Sequence, residues 1–423
     1  MKKYHIISLG CPKNLVDSEV FASIIEENGY LAEKDPENAD VIVVNTCGFI
    51  KDAKEEAIDT ILDMAQYKID GKCQNLIVTG CLVKRYFNEL KANMPEVDHF
   101  VNLKDFKTFS KIFYGKYRET RKLLTPSHYA YIRISDGCNN RCSYCAIPDI
   151  RGNMKSEPME KLIKEAEYIA SCGVKELIVT AQDTTLYGVD IYKKPMLSQL
   201  LKELHKIEGF DWIRLLYLHP AHLKDEMIET IVSLPKVCNY FDMPLQHAND
   251  TLLKNMNRRV TQKEITQKIN KIRELAPESS IRTTFIVGYP GETQKRFEEL
   301  KDFIIKTRFD KLGVFTYSKE EGTPAFDIKN RVAKKTAQNR KDELMAIQQK
   351  ISTELLEDKI GKEMVVIVDG YNDEEKFYEC RSVFDAPEID GKVFVDSQNL
   401  KTGDIIKVKI IDSWEYDLVG DII

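Results

Sequence analysis

The stretch Tyr129-Ala130-Tyr131-Ile132-Arg133-Ile134-Ser135, followed at once by Asp136-Gly137-Cys138-Asn139-Asn140-Arg141-Cys142-Ser143-Tyr144-Cys145, decides how this chain is read. Its first half is rich in aromatic and β-branched residues and reads as a buried strand. Its second half delivers three cysteines, Cys138, Cys142 and Cys145, from one loop. A structural zinc site takes four ligands, and a cubane iron–sulfur cluster normally takes four cysteines. Three cysteines on one loop fit a cluster with one iron left open, where a substrate or cofactor can chelate. Zinc with a distant fourth ligand is the competing reading, and the ligand number together with the preceding strand disfavours it.

Downstream of the loop, apolar runs recur at β/α spacing. After Tyr129–Ser135 come Lys175–Ala181, Trp212–Leu218, Tyr240–Leu245, Ile281–Val287 and Leu312–Tyr317, separated by helical stretches such as Pro158–Ser171 and Thr261–Leu275. Six parallel strands in sequence imply an open, partial (β/α)6 barrel, with its chemistry beyond the carboxyl ends of the strands. Gln182-Asp183, His219, Gln246-His247 and the turn from Gly288 to Glu292 occupy those ends. A charged helix over Lys334–Glu357 leads to β-branched runs separated by Gly and Asp turns: Val365–Val368, Val393–Val395 and Ile405–Ile411. These predict a small all-β barrel.

Upstream, Tyr4–Leu9, Asp40–Asn45 and Asn75–Thr79 read as buried strands, with helices at Ser18–Asn28 and Ala53–Tyr67 between them. This predicts an amino-terminal α/β domain on a parallel sheet. The basic, helix-to-loop stretch 101–127, ending Thr125-Pro126-Ser127, reads as a linker. The expected domains are 1–125, 126–357 and 358–423.

The chain has 423 residues, a formal charge of −5 and ten cysteines. No apolar run is long enough for a transmembrane helix, and Tyr4–Leu9 is too short for the core of a signal peptide. A cytosolic chain is expected, and there thiols stay reduced, so metal or redox chemistry explains the cysteines better than disulfides. Cys11, Cys47 and Cys81 form a second set, each at the end of a predicted parallel strand. Strand ends of one sheet meet on one edge, and Gly10, Gly48 and Gly80 beside them permit close backbone approach. Strand-end cysteines alone are more often small buried hydrophobes. The matched positions, with the three-cysteine loop downstream, favour a second three-cysteine cluster. Cys73, Cys172, Cys238 and Cys380 fit neither set and are expected to pack, Cys172 as a buried residue near a helix end.

The loop, with aromatic Tyr144 before its last cysteine, resembles the signature of the radical S-adenosylmethionine (SAM) superfamily. Two tri-cysteine sets and a terminal β-barrel are similar to the radical methylthiotransferases over nearly the whole chain. The resemblance is carried by Ser8-Leu9-Gly10-Cys11-Pro12-Lys13-Asn14, Asp136-Gly137-Cys138 through Ile150-Arg151-Gly152, Ala181-Gln182-Asp183-Thr184-Thr185 and Glu320-Glu321-Gly322-Thr323. It implies an amino-terminal cluster domain, a radical SAM barrel and a small OB-like TRAM domain. It implies two [4Fe-4S] clusters, on Cys138, Cys142 and Cys145 and on Cys11, Cys47 and Cys81. It also implies two uses of SAM, as radical source and as methyl donor, and a reductant of the flavodoxin or ferredoxin kind. Tyr144, Gln182, Asp183, Gly288 and Glu292 become candidate cofactor contacts.

Within this family one branch modifies the β-carbon of an aspartate in small-subunit ribosomal protein twelve, and another modifies adenosine in tRNA. Pro12-Lys13-Asn14 after the first cysteine resembles the protein-modifying branch. Charge gives an independent check. Between Gly361 and Ile423 there are seven Lys and Arg against fifteen Asp and Glu, a balance of −8, which leaves +3 on the rest. A phosphate-gripping domain needs the opposite sign, so a basic protein substrate is expected and direct tRNA binding is not, despite Lys401, Lys407 and Lys409. A monomer is the default expectation, without a membrane partner.

Overall fold

Alternation along the first strands builds a sheet covered on both faces. In the computed structural model, which describes residues 1–115, 117, 120–397 and 399–423, Lys3–Ser8, Val41–Thr46 and Asn75–Gly80 pair in parallel. Short edge strands Leu31–Ala32 and His99–Phe100 complete a five-stranded sheet. Ile42, Val44, Leu76 and Val78 point to one face, against Ala57, Ile61 and Ala65 of helix Lys51–Gln66 and Leu82 and Val83 of helix Cys81–Asn93. Tyr4, Val41, Val43 and Ile77 meet Phe21, Ile24 and Ile25 of helix Pro12–Glu27 on the other. Burial on both faces explains the near-continuous apolar strands.

Two sequence expectations need correction here. Helix Pro12–Glu27 starts six residues before the predicted Ser18, with Pro12 tolerated in the first turn. Its leading turns bury Lys13, Asn14, Asp17 and Ser18, and these polar residues hide the apolar periodicity. The stretch read as a linker carries its helix, Phe106–Ile112, but is anchored: Phe109, with Phe113 beyond it, packs on Phe21 in the core. Positions 116, 118 and 119 of that stretch lie outside the described residues.

The chain packs as two units. One comprises Met1–Thr125, Asp136–Met154 and Ser318–Phe326, and so carries the cysteine loop together with the amino-terminal sheet. The other comprises Pro126–Ser135, Lys155–Tyr317 and Asp327–Ile423.

In the second unit the six predicted strands all form, as two parallel three-stranded sheets. Trp212–Leu215, Glu176–Thr180 and Tyr129–Arg133 make one; Tyr240–Gln246, Ser280–Val287 and Lys311–Thr316 make the other. The seam lies after Leu215, where Tyr217 adopts φ +60° and donates its N–H to the Asp242 carboxylate (2.9 Å). Across the seam Leu218 N–H reaches Asp242 O (2.8 Å). Helix Lys334–Glu357 forms as predicted and leads to a closed five-stranded barrel of Glu363–Asn372, Phe377–Ser382, Val393–Val395, Leu418–Ile422 and Ile405–Ser413. Val366, Val368, Val393, Val395, Val408 and Ile410 fill it. Of the spare cysteines, Cys73, Cys238 and Cys380 are buried; Cys172 is exposed, contrary to expectation, because it ends helix Met159–Ser171 on its outer side.

Candidate active site

Parallel pairing places the second cysteine set as the sequence suggests. Ser8 pairs with Asn45 and Thr46 with Gly80, so the chain leaves three adjacent strands at one level, toward Cys11, Cys47 and Cys81. Cys11 caps helix Pro12–Glu27 and Cys81 opens helix Cys81–Asn93. The glycines are needed for this convergence. Gly10 sits at φ +87°, and a Cβ there would lie 2.8 Å from Cys47 Cβ and 2.9 Å from its Sγ. A Cβ on Gly48 would lie 2.7 Å from the Leu82 backbone.

Asn14, fully buried, holds the three strand ends together. Its Nδ2 donates to Leu9 O (2.9 Å) and Thr46 O (3.0 Å), and its Oδ1 accepts from Cys81 Sγ (3.5 Å). Asn45 in turn donates to Asn14 O (2.8 Å) and Ser18 Oγ (2.9 Å). Burial pushes the Cys47 thiol up and the Cys81 thiol up to about 12. Cys11 is lowered: burial opposes its ionisation, but Lys13 and Arg151 outweigh it.

The loop set belongs to the same unit. Cys138 N–H donates to Gly152 O (3.1 Å) and Cys145 N–H to Cys142 O (3.1 Å), which closes the loop on itself. Ala325 N–H donates to Ser143 O (2.8 Å). Cys81 packs with Ala146 and Ile150, just beyond Cys145. Arg151 ends the short helix Ile147–Arg151 and binds Asn14, Asp17 and Asp136. Glu320, in the segment Ser318–Phe326, is buried and paired with Arg85 (2.8 Å) and Lys54 (2.9 Å). Sequence reasoning quoted Asn14, Arg151 and Glu320 within motifs but gave them no role, because a buried ion pair between distant segments has no local signature.

In the second unit, Gln182 and Asp183 follow strand Glu176–Thr180. Asp183 Oδ2 lies 2.8 Å from His222 Nδ1, and Thr185 donates its N–H to Oδ1 (3.1 Å). Burial alone would raise Asp183, but the hydrogen bonds of His222 and Thr185 hold it below the usual carboxylate range. His219 stacks on His222 at 4.7 Å and accepts the Ala221 N–H at Nδ1 (3.2 Å). Burial, with Arg258 nearby, keeps its pKa well below 6.5, so the ring is neutral and its proton is on Nε2. Asp183, His219 and His222 each bring a ligand-type atom within 4.8 Å of the others. Asp183 and His222 bind each other, whereas His219 Nε2 is buried with no hydrogen-bond partner among the described residues; the group fixes Asp183, with His222 the member missed from sequence.

Gly288 and Glu292 have internal roles. Gly288 at φ +78° faces Ala337, to which a Cβ would come within 2.5 Å. The buried Glu292 carboxylate accepts the Gly288 N–H and binds Arg340 (2.8 Å), with His247 Nε2 at 3.4 Å. Tyr144 is half-buried in the loop.

Comparison with known proteins agrees with this layout. Residues 132–304 match the radical SAM superfamily, 3–102 the uncharacterised protein family UPF0004, and 360–423 the TRAM domain. The ribosomal protein uS12 methylthiotransferase RimO of Clostridioides difficile strain 630 is 46% identical, over 100% of this chain and 99% of its own length. This chain belongs to the RimO family. RimO of Thermoanaerobacter sp. strain X514 is likewise 46% identical, over 100% of both chains. Among solved structures, the radical SAM methyltransferase TsrM from Kitasatospora setae, with cobalamin and a [4Fe-4S] cluster bound, has a TM-score of 0.58 at 14% identity, covering 77% of each chain. The cobalamin-dependent radical SAM enzyme OxsB has 0.52 at 11%, covering 83% of this chain and 56% of its own. Both show the fold alone. RimO-family enzymes use SAM and [4Fe-4S] clusters.

Proposed function

We propose that this chain carries out the RimO-family reaction, replacing a C–H bond on the β-carbon of an aspartate in ribosomal protein uS12 with C–S–CH3. One observation supports it most: three adjacent parallel strand ends each lead to one cysteine, in the same packed unit as the three-cysteine loop. The donor sets suit the clusters, since each offers three thiolates and leaves one iron to an outside ligand. Cys138, Cys142 and Cys145 would hold the cluster that binds SAM; Cys11, Cys47 and Cys81 would hold the one that carries sulfur. When bound, these groups supply one-electron cleavage of SAM and a sulfur atom that accepts the methyl group of a second SAM.

The chain's own residues position and shield that chemistry. Gly10 and Gly48 let the strand-end thiols converge, and Asn14 fixes their spacing. Tyr144, Gln182 and Asp183 are proposed on the cofactor side, with Asp183 kept ionised and oriented by His222 and Thr185. Gly288 and Glu292 act there by shaping the turn that Arg340 locks. The functional division is 1–125, 126–357 and 358–423. The acidic last segment suits a basic protein substrate, whereas tRNA would meet a balance of −8. A flavodoxin or ferredoxin reductant, a cytoplasmic location and a monomer complete the reading. No helix among the described residues is long and apolar enough to cross a membrane.

The test is anaerobic reconstitution with dithionite and SAM, offering a peptide from the uS12 aspartate loop and an unmodified tRNA together. Mass spectrometry should show a methylthio gain on the peptide. A gain on the tRNA alone would overturn the substrate assignment and leave the cluster chemistry standing.

A further inference from the structure

The two cysteine sets are joined by one buried cation. Arg151 Nη2 donates to Asn14 Oδ1 (2.5 Å) and lies 3.1 Å from Asp17 Oδ2, while Nη1 lies 3.1 Å from Asp136 Oδ1. Its side chain is 1% exposed. The Asn14 oxygen it binds is the one that accepts from Cys81 Sγ, and the other end of Asn14 holds the carbonyls of Leu9 and Thr46, each close before a strand-end cysteine. One side chain thus contacts all three strand ends, and the guanidinium grips it from the loop that carries Cys138, Cys142 and Cys145. Asp17 comes from the helix begun at Cys11, and Asp136 from the loop's own entry; Lys104 balances Asp136 at 2.8 Å.

We infer that Arg151, acting through Asn14, is a positioning residue that ties the loop to the strand-end set and imposes a fixed positive field on the strand-end cluster, holding its reduction potential up. This rests on the ligand assignment proposed above. The physical reason is that a reduced cluster carries one more negative charge, which a buried cation stabilises, and net charge is among the main determinants of cluster potential. Burial keeps water from screening the guanidinium, while Asp17 and Asp136 offset part of it, so the substitution reads the loss of one positive charge. A purely structural ion pair would instead affect folding and leave the potential where it was.

The experiment is an EPR-monitored redox titration of the full-length reconstituted chain in a Cys142→Ala background, so that the signal comes from the strand-end set. Adding Arg151→Gln should move the midpoint to lower potential while iron content stays at the Cys142→Ala level. Arg151→Lys, which keeps the charge, should restore most of the shift. If Arg151→Gln fails to fold by circular dichroism, Arg151→Met, of similar length and without charge, supplies the same test and should also lower the midpoint. An unchanged midpoint in a folded Arg151→Gln or Arg151→Met protein overturns the inference. Failure of the ligand assignment looks different: Cys142→Ala or Cys47→Ala would then remove no iron.

Discussion

Each cysteine of the two sets is a small side chain, on a strand end or on the loop, so removing one should delete one chemical task and spare the fold. Cys142→Ala should lose roughly half the reconstituted iron and all 5′-deoxyadenosine formation. Cys47→Ala should lose a similar share of iron, still cleave SAM, and give no methylthio product; normal product from that variant would refute the sulfur-site role. Gly10→Ala tests the geometry beneath these roles. At φ +87° an alanine carries about 1–2 kcal/mol of left-handed strain, and its Cβ would press on Cys47. Strand-end iron should fall while deoxyadenosine formation continues; full iron in the variant would show that the edge does not need the glycine. The placement of the cysteines was legible because loop spacing and strand ends are both local patterns. The roles of Asn14, Arg151 and His222 were not, since they depend on partners as far as 137 residues away.

At the level of elements, strands and helices followed from periodicity and from β-branched runs, and all six central strands stand close to where the pattern put them. Their division into two sheets was not legible. It depends on Asp242, buried in strand Tyr240–Gln246, which accepts the turned-away N–H of Tyr217 and pairs with Arg282 at 2.8 Å. An aspartate within an apolar strand reads locally as an interruption, although here it joins two sheets. Asp242→Ala would leave the Tyr217 N–H and the partly exposed Arg282, which keeps Asp390, without that partner. A loss of about 1–3 kcal/mol is expected, measurable as a lower urea midpoint with an unchanged slope. A midpoint within experimental error of the parent would show that the seam is held by packing alone. The first helix shows the opposite masking: its buried polar turn serves the cysteines, so the apolar pattern starts late.

Across the whole molecule, charge counted along the chain misses where the charges are used. The terminal barrel is strongly acidic by composition, yet several of its carboxylates are paired within the second unit. Asp369 holds His128 (2.7 Å) and Arg381 (2.7 Å), and Asp385 holds Lys311 (2.6 Å). Arg381 also reaches Glu176 of the central strands (2.7 Å), which binds Arg214 at 2.6 Å. Part of the acidity that suggests a basic partner therefore fastens the barrel to the β/α sheets, and Glu363 and Glu379 are paired with Lys407 and Lys392 of the barrel itself. Glu176, Arg214 and Arg381 are buried, so this network is sensitive to pH in a defined direction. Burial would raise Glu176, but the two arginines hold it below its ordinary 4.5; Asp369 and Asp385 are likewise held below 3.8. Carboxylates depressed in the folded state contribute stability that is fully present above their unfolded pKa and lost as pH falls through the folded value. The chain should thus hold its stability from neutrality down to about pH 5 and lose it steeply below pH 4. Glu176→Gln keeps the shape but leaves two buried guanidiniums without their shared anion, so it should cost about 3–5 kcal/mol at pH 7. It should also flatten the acid limb, because one of the depressed carboxylates has been removed. Urea midpoints for parent and variant at pH 7 and pH 4 decide the matter: equal losses at both values would show that Glu176 contributes packing and no linked proton.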